Sequence, residues 1–438
     1  RWTGPFAGFF VVNRSLDRYV PRMRFPPETG IHKALQTWLW IRRPTDLLER
    51  ARAECGDIFS IQSYFYSRLV VVAGTEGIQR IFAATYEQLD QRKGPSFAKF
   101  LGANSLFVLD GSAHGQLRHA IMPALGPNQT KGQLLQLASI VDDEIDRWPL
   151  DTPFSMQTKM QSLLLQTTLH MLLGAATPAV VGRLASVLSA TYEVFSNPLM
   201  VGYHDHQERL GIGPWPKLLQ LAGQARELLT AAAQDRRDGV TPTGSDVLSL
   251  LLETSHPSKR SLTDDEICDS LMALFMAGHH TTANALSWTF YELLRDPMIL
   301  TRLQDEVRSV WTAGLLPIEK VLTLPLLDAT VREVLRLRPI FPVTTRTLRQ
   351  PMQILDYTLP ENTIVIPAIY LAQRCPVAFP EPHRFLPDRF LGLKQAPPEW
   401  MPFGGGVRRC VGSSPVLMQM KTILATALRR ITLRRVAG

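Results

Sequence analysis

Apolar positions recur every three to four residues through most of the middle of the chain, a spacing that is typical of amphipathic helices. This spacing runs from about residue 75 to residue 340, and it returns in a final segment at about 413–430. Runs rich in β-branched and aromatic residues, which are typical of strands, lie towards both ends at 58–62, 68–72 and 352–368. Strands that flank a helical middle are expected to pair with each other. The predicted fold class is therefore mainly α with small β-sheets (α+β).

The composition is that of a globular protein, and it excludes a disordered or low-complexity chain. The chain has 438 residues, of which 45% are hydrophobic and 20% are charged. Two or three domains would fit this length, but no internal repeat or Gly/Ser linker divides the chain, so we expect a single domain over 1–438. The net charge of +8 suits an acidic partner docking on one face better than a nucleic-acid interface. The apolar runs are too short to span a bilayer.

The cysteines indicate the compartment rather than a metal cluster. The chain has four of them, Cys55, Cys268, Cys375 and Cys410, which lie far apart and form no CxxC pair. A disulfide framework or a zinc ribbon is therefore not expected. A reducing compartment, the cytoplasm, is the simpler location.

A long helix is predicted to begin at Thr263, because the segment Thr263–Glu266 has the pattern of a capping box. No proline follows until Pro297, so this helix is long enough to cross a large domain. Its middle, Ala277–Thr282, places a glycine, two histidines and two threonines in an otherwise apolar stretch. A glycine and a threonine that bonds back to a carbonyl together predict a local distortion that opens a groove. The alternative is close helix packing at Gly278, with the two histidines in solvent.

Glu333 and Arg336 lie three residues apart near the end of another apolar helix, so their side chains share a face. A buried pair of this kind needs further partners to offset the loss of hydration. Arg389 is a candidate for the third member. The alternative for an isolated E-x-x-R pattern is an ordinary pair on the surface.

The segment Pro402–Gly412 carries three successive glycines, then two arginines and Cys410, just ahead of the last predicted helix. Glycines allow a loop to curl tightly and to approach a ligand closely. The start of a helix and the neighbouring Arg408 and Arg409 favour a thiolate with a low pKa. Such a thiolate could be a nucleophile or an axial metal ligand, but no motif supplies the base that a nucleophile needs.

Taken in their order along the chain, these motifs resemble those of the cytochrome P450 family. The most specific is the haem-binding signature F-x-x-G-x-R-x-C-x-G, which is matched at each defined position by Phe403, Gly406, Arg408, Cys410 and Gly412. The other matches are shorter. They are the E-x-x-R pair, the segment Phe385–Phe390 with Asp388 where glutamate is commoner, the segment Ala277–Thr282, and Asp110-Gly111 followed by His114 and Arg118.

The resemblance implies a haem b group held between the long central helix and the segment Pro402–Gly412, which we call the Cys loop, with the C-terminal helix. Cys410 would be the axial ligand to the haem iron. The other residues implied to hold the haem are His114, Arg118, Arg346, Phe403, Gly404, Arg408 and Gly412. Oxygen activation would fall to Ala277, Gly278, His280 and Thr281, and Glu333, Arg336 and Arg389 would form a structural triad.

One residue departs from the family pattern. In the family, the residue before the threonine that corresponds to Thr281 is usually acidic, and here it is His280. Histidine can relay protons near neutral pH, so the resemblance still implies that Thr281 hydrogen-bonds dioxygen and helps to deliver protons.

By position in the family, the substrate pocket would be lined by mostly apolar side chains, namely Phe97, Phe100, Leu101, Leu106, Ala273, Phe341, Val343 and Thr344. Such a lining suits an apolar substrate, such as a lipid, a terpenoid or a polyketide-like molecule. The alternative is that several of these side chains belong to the ordinary core.

The resemblance implies a soluble, bacterial-type monooxygenase that takes electrons from a separate ferredoxin or flavodoxin-type donor. This donor would dock near Cys410, with Arg409 among the cations that receive it. Two alternatives stay open: a P450-fold enzyme that is peroxide-driven or catalyses a rearrangement, and a haem-binding sensor or carrier without turnover. Thr281 argues against the first alternative, since a proton relay to dioxygen would be idle there.

Overall fold

The computed structural model describes residues 25–64, 68–91, 95–195, 211, 213–253, 261–311 and 314–436. In these ranges the helices are α1 (Lys33–Arg42), α2 (Pro44–Cys55), α3 (Thr75–Phe82), α4 (Pro95–Leu101), α5 (Gly111–Ile121), α6 (Pro127–Asp146), α7 (Met156–Leu173), α8 (Pro178–Phe195), α9 (Trp215–Arg237), α10 (Val247–Glu253), α11 (Asp264–Leu293), α12 (Pro297–Val310), α13 (Ile318–Leu322), α14 (Pro325–Leu337), α15 (Ile369–Ala372) and α16 (Ser413–Arg430). The strands are β1 (Ile58–Ile61), β2 (Leu69–Val72), β3 (Leu89–Asp90), β4 (Arg346–Leu348), β5 (Met352–Ile354), β6 (Tyr357–Leu359) and β7 (Ile364–Pro367). The predicted class, mainly α with small β-sheets, is confirmed.

Prolines mark the starts of several helices. Pro44, Pro127, Pro178, Pro297 and Pro325 are the first residues of α2, α6, α8, α12 and α14. A proline is tolerated there because the first amide of a helix has no carbonyl partner within the helix, and its fixed φ suits the helix. The same residues that end one helical pattern in the sequence therefore begin the next.

The main sheet joins the two ends of the chain. Its strand order is β1-β2-β7-β4-β3, in which β2 runs parallel to β7 with Val70 opposite Val365, and the other pairs are antiparallel. The strands β5 and β6 form a separate antiparallel pair. The expectation that early and late strands pair is thus confirmed, and the pairing brings β4 beside the early part of the chain.

The helix α11 passes between the two largest apolar clusters. Its first half packs with α4, α8, α9 and α10, whereas its second half packs with α6, α12, α14 and α16. The helix begins with the predicted capping box, in which Thr263 Oγ1 accepts from the Glu266 amide at 3.2 Å and the Glu266 carboxylate accepts from the Thr263 amide at 2.8 Å. No helix in the described part of the chain is both long and apolar enough to cross a membrane.

Candidate functional site

Cys410 lies in the short connection between a 3₁₀ turn at Gly406–Arg408 and the start of α16. Its amide donates to the carbonyl of Phe403 at 3.0 Å, which closes the loop on itself. The side chain of Cys410 is exposed, so the sulfur is free to reach a ligand.

The surroundings of the Cys410 sulfur pull its pKa in two directions. Loss of hydration is the largest influence and raises the pKa of the thiol, although the side chain is exposed. The Gly412 amide and the charges of Arg118 and Arg409 lower it, but the net direction is upward. The expected low pKa is therefore wrong for the thiol by itself. A coordinated metal ion would supply the missing stabilisation, because a coordinating thiol is deprotonated outright.

The glycines of the Cys loop seat it against the end of α3. A Cβ atom at Gly405 would lie 2.2 Å from the ring of Phe82, and one at Gly406 would lie 2.0 Å from the Phe82 carbonyl oxygen. Gly404 and Gly406 also have φ of 64° and 66°, which side chains rarely adopt. Gly405 and Gly406 therefore pack directly against the end of α3, and this contact positions the loop that carries Cys410.

Four basic side chains gather beside this loop. They are His114 and Arg118 on α5, Arg346 at the start of β4, and Arg408. His114 is buried, and its pKa is lowered to about 3, first by burial and then by the charges of the three arginines. The imidazole is therefore neutral at neutral pH, and the positive charge of the cluster belongs to the guanidinium groups.

Arg408 crosses from the Cys loop to the segment before α5. It forms an ion pair with Asp110 and donates to the carbonyls of Leu106 at 3.1 Å and Leu109 at 2.5 Å. Arg118 donates to the Arg409 carbonyl at 2.6 Å. These contacts bring the residues of two sequence motifs, separated by almost 300 positions, to one place.

Arg346 is buried but forms no ion pair among the described residues, and its guanidinium donates to the carbonyl of Thr345 at 2.7 Å. Burial and the charge of Arg408 lower its pKa to about 10. A buried guanidinium without a carboxylate is costly, so it indicates an anionic partner. The cluster therefore fits a haem, whose propionates would face Arg118 and Arg346 while the iron faces Cys410.

Sequence reasoning missed Tyr86, which lies between α3 and β3. Its hydroxyl is 2.8 Å from Nδ1 of His114 and donates to the Val407 carbonyl at 3.3 Å. It thereby links α5 to the Cys loop. A single tyrosine between two short elements carries no spacing signal that could have identified it.

The predicted oxygen-activation segment lies within one continuous α-helix, Asp264–Leu293. The hydroxyl of Thr281 donates to the Ala277 carbonyl, as expected from the sequence. A Cβ atom at Gly278 would only touch a methyl group of Thr168 at 4.0 Å, so close packing does not require the glycine.

The histidines of this segment are buried, with 2% of His279 and 9% of His280 exposed, so the alternative that placed them in solvent is wrong. His279 Nε2 is 2.8 Å from the Gln161 carbonyl oxygen, and the His280 ring stacks on Tyr192 with 3.5 Å between centroids. Burial lowers the pKa of His279 to about 4 and that of His280 to about 3. Both imidazoles are thus neutral at neutral pH, and any relay through His280 would run through the neutral ring.

Tyr192, on α8, is a second residue that sequence reasoning missed. Its hydroxyl donates to the carbonyl of Met276 at 2.5 Å, one residue before the carbonyl that accepts from Thr281. Two successive carbonyl oxygens of α11 therefore each accept a hydrogen bond from a side-chain hydroxyl. A tyrosine in an apolar helix has the sequence signature of ordinary core, so nothing marked this one.

The structure brings the three members of the expected triad together. Arg336 and Glu333 are fully buried and form two parallel bonds, of 2.7 and 2.9 Å. Arg389 reaches the same carboxylate at 3.1 Å. Arg336 also donates to the carbonyls of Gln373, Pro382 and Arg384, which ties α14 to the irregular segment before the Cys loop.

The predicted pocket residues divide into two groups. Phe97, Phe100 and Leu101 are buried in the cluster between α4, α8 and α9, where the Phe100 ring lies 5.9 Å from that of Phe195. As packed here, these three belong to the core, which is the alternative that the sequence left open. The remaining side chains range from buried to partly exposed, and they are Leu106, Ala273, Phe341, Val343 and Thr344.

Comparison with known proteins gives a consistent result. The chain matches the family described as Cytochrome P450 over residues 26–436. Cytochrome P450 135A1 of Mycobacterium tuberculosis is 32% identical over 416 residues, which cover 93% of this chain and 88% of that protein. Cytochrome P450 135B1 of Mycobacterium bovis is 29% identical over 420 residues, covering 94% of this chain and 86% of that protein.

Two solved structures share the fold. Cyanobacterial CYP120A1 bound to retinoic acid superposes with a TM-score of 0.83 at 22% identity, over 95% of this chain and 94% of that chain. The haem domain of cytochrome P450DA gives a TM-score of 0.77 at 22% identity, over 93% of this chain and 91% of that chain. The chain belongs to the cytochrome P450 family.

Proposed function

We propose that this protein is a monooxygenase that inserts one oxygen atom of O2 into an apolar small molecule of lipid, terpenoid or polyketide type. In this proposal haem b is held by Cys410 at the iron and by Arg118 and Arg346 at the propionates. The observation that carries the proposal is the buried Arg346, which has no carboxylate partner among the described residues and shares a site with the exposed Cys410. The haem would supply the redox chemistry that activates oxygen.

The protein's part in this reaction is to bind, to orient and to move protons. Thr281 holds a proton at Oγ1 that it donates to the Ala277 carbonyl, and rotation about its χ1 would redirect that proton. Tyr192 donates to the Met276 carbonyl, next to the Ala277 carbonyl that accepts from Thr281, so α8 contacts this segment directly. His280 is neutral and packed against Tyr192, which favours a positioning role or a relay between its two ring nitrogens.

Electrons would come from a separate ferredoxin or flavodoxin-type protein that docks near Cys410. Arg409 is exposed beside that cysteine and is suited to receive an acidic partner. We also propose that 1–438 forms one haem-binding domain, and that the cytoplasm is its location, on the cysteine usage of the sequence.

The test is turnover under isotopically labelled oxygen. Apolar compounds are first screened for shifts in the haem absorption spectrum, and compounds that bind are then incubated with the protein, a ferredoxin, its reductase and ¹⁸O₂. We expect one ¹⁸O atom in the product and one in water. Oxygen taken only from added peroxide, a rearranged product without new oxygen, or binding without turnover would each overturn the monooxygenase proposal.

The matched variants are Thr281→Val and Thr281→Ser. Valine keeps the shape of threonine and removes the proton, so we expect product formation to fall by about 100-fold while reducing equivalents are still consumed. Serine keeps the hydroxyl and should retain most of the product. Equal product formation by both variants would contradict the assigned role of Thr281.

A further inference from the structure

Asp269 is a buried acid on α11 that the proposed reaction does not use. Only 2% of it is exposed, and it lies about three turns before Thr281 on the same helix. One carboxylate oxygen pairs with Arg226 of α9 at 2.5 Å, and the other accepts from the amide of Asn104 at 2.9 Å. A single side chain therefore joins two helices to the loop that follows α4.

That loop passes directly over the ion pair. Gly102 has φ of 91°, and a Cβ atom there would lie 2.0 Å from the carboxyl group of Asp269 and 2.3 Å from the guanidinium of Arg226. Any side chain at this position would have to push the backbone away from the pair. The absence of a side chain is thus a steric requirement of this contact.

We call residues 102–110 the strap. Its second end is held by Arg408 of the Cys loop, which bonds the carbonyls of Leu106 and Leu109 and pairs with Asp110. The strap therefore runs from α9 and α11 to the haem-binding loop. The arginine side chain is 26% exposed at the Arg226 end and 6% exposed at the Arg408 end, so solvent has easier access to the first anchor.

We propose that the Arg226–Asp269 pair is a latch whose opening frees the strap and admits the substrate. Asp269 is then a positioning residue, because it acts on the substrate through the strap. The proposal rests on the proposed function in one respect, which is that Leu106 in the strap lines the substrate pocket.

Hydrogen exchange of the complete protein as purified tests the latch without any substrate. The variant Asp269→Asn keeps the shape of the side chain, but it replaces one of the two acceptor oxygens by an NH2 group, so either Arg226 or the Asn104 amide loses its acceptor. We expect the amides of 102–110 to exchange about tenfold faster than in the unaltered protein. The matched control is Asp264→Asn, since the Arg237–Asp264 pair also joins α9 to α11. The control should leave exchange in the strap unchanged.

A second variant disturbs the latch without altering any charge. Gly102→Ala places a methyl group against the ion pair, and it should increase exchange in the strap as Asp269→Asn does. Arg226→Gln changes the partly exposed partner of the pair. It replaces Asp269→Asn in the experiment if that buried substitution prevents folding. Unchanged exchange over 102–110 in these variants would overturn the latch.

Ligand kinetics then test whether the latch controls entry. Imidazole and the bulkier 4-phenylimidazole are mixed with the ferric protein, and binding is followed by haem absorption. In the latch variants we expect faster association and dissociation of 4-phenylimidazole, with little change for imidazole. Unchanged rates for the bulky ligand would refute control of entry. A protein that shows no haem spectrum would refute the proposed function, whereas the exchange result would still decide the latch.

Discussion

At the scale of single residues, the buried arginines of the site differ in whether a carboxylate of the protein pairs with them. Arg408 already has Asp110 as its partner, whereas Arg346 is buried and has no carboxylate partner among the described residues. The sequence could identify Cys410 and Arg408, because they lie within one signature of fixed spacing. It could not distinguish the two arginines, since their burial and partners come from segments that are distant along the chain.

We therefore expect Arg346→Gln to weaken haem retention more than any change at a paired arginine. A charge-assisted hydrogen bond is worth about 1.5–3 kcal/mol, so haem should dissociate about 10- to 100-fold faster. The rate is measured as haem transfer to an excess of apomyoglobin. The control is Arg349→Gln, a nearby arginine that is more exposed and pairs with Asp90. Equal rates for the two variants would show that Arg346 does not contact the haem.

At the scale of the element, some properties of α11 are set by residues close in sequence and others by the helices that pack against it. Its start, its length and the bond from Thr281 to Ala277 follow from residues close in sequence, and they could be predicted. The surroundings of its two histidines could not, because Gln161 comes from α7 and Tyr192 from α8. The helix also continues through Gly278, a residue of low helix propensity, within the packed bundle.

The buried histidines predict how stability depends on pH. Their pKa values are lowered from 6.5 to about 4 for His279 and about 3 for His280, so below pH 6.5 the unfolded chain binds protons that the folded chain does not. The free energy of unfolding should therefore fall as the pH drops from about 6.5 towards 4, with each histidine contributing up to about 1.4 kcal/mol per pH unit.

The variant His280→Phe keeps an aromatic ring against Tyr192 and removes one titrating group. Urea unfolding at a series of pH values should show the same stability trend above pH 7 and a shallower decline below it. Replacement of the exposed His119 by glutamine should leave the decline as it is. A decline of equal slope in His280→Phe would mean that His280 is not buried as a neutral ring.

At the scale of the whole molecule, three connections hold the site together. The sheet joins early and late strands, Arg408 joins the Cys loop to the strap, and the triad joins α14 to the segment before the Cys loop. The spacing of Glu333 and Arg336 could predict that the two side chains share a face. It could not show that both are fully buried, because the carbonyls that accept from Arg336 lie 37 to 48 residues further along the chain.

The triad should therefore be much more sensitive than an ion pair at the surface. Arg336→Lys keeps the charge but removes the planar guanidinium group that donates to Glu333 and to three carbonyls. We expect the free energy of unfolding to fall by about 3–5 kcal/mol. Glu319→Gln, which removes the exposed pair with Lys131, should cost less than about 1 kcal/mol. Denaturant unfolding measures both, and similar losses would contradict the structural role of the triad.

The central claim, that Cys410 binds haem iron as a thiolate, is tested most directly by the absorption spectrum of the purified protein after reduction under carbon monoxide. The account predicts a Soret band at the long-wavelength position typical of thiolate-ligated haem, and the loss of that band in Cys410→Ala. The account would be contradicted by a band at the shorter wavelength of a haem without a thiolate ligand, by an unchanged band in the variant, or by a protein that takes up no haem on reconstitution.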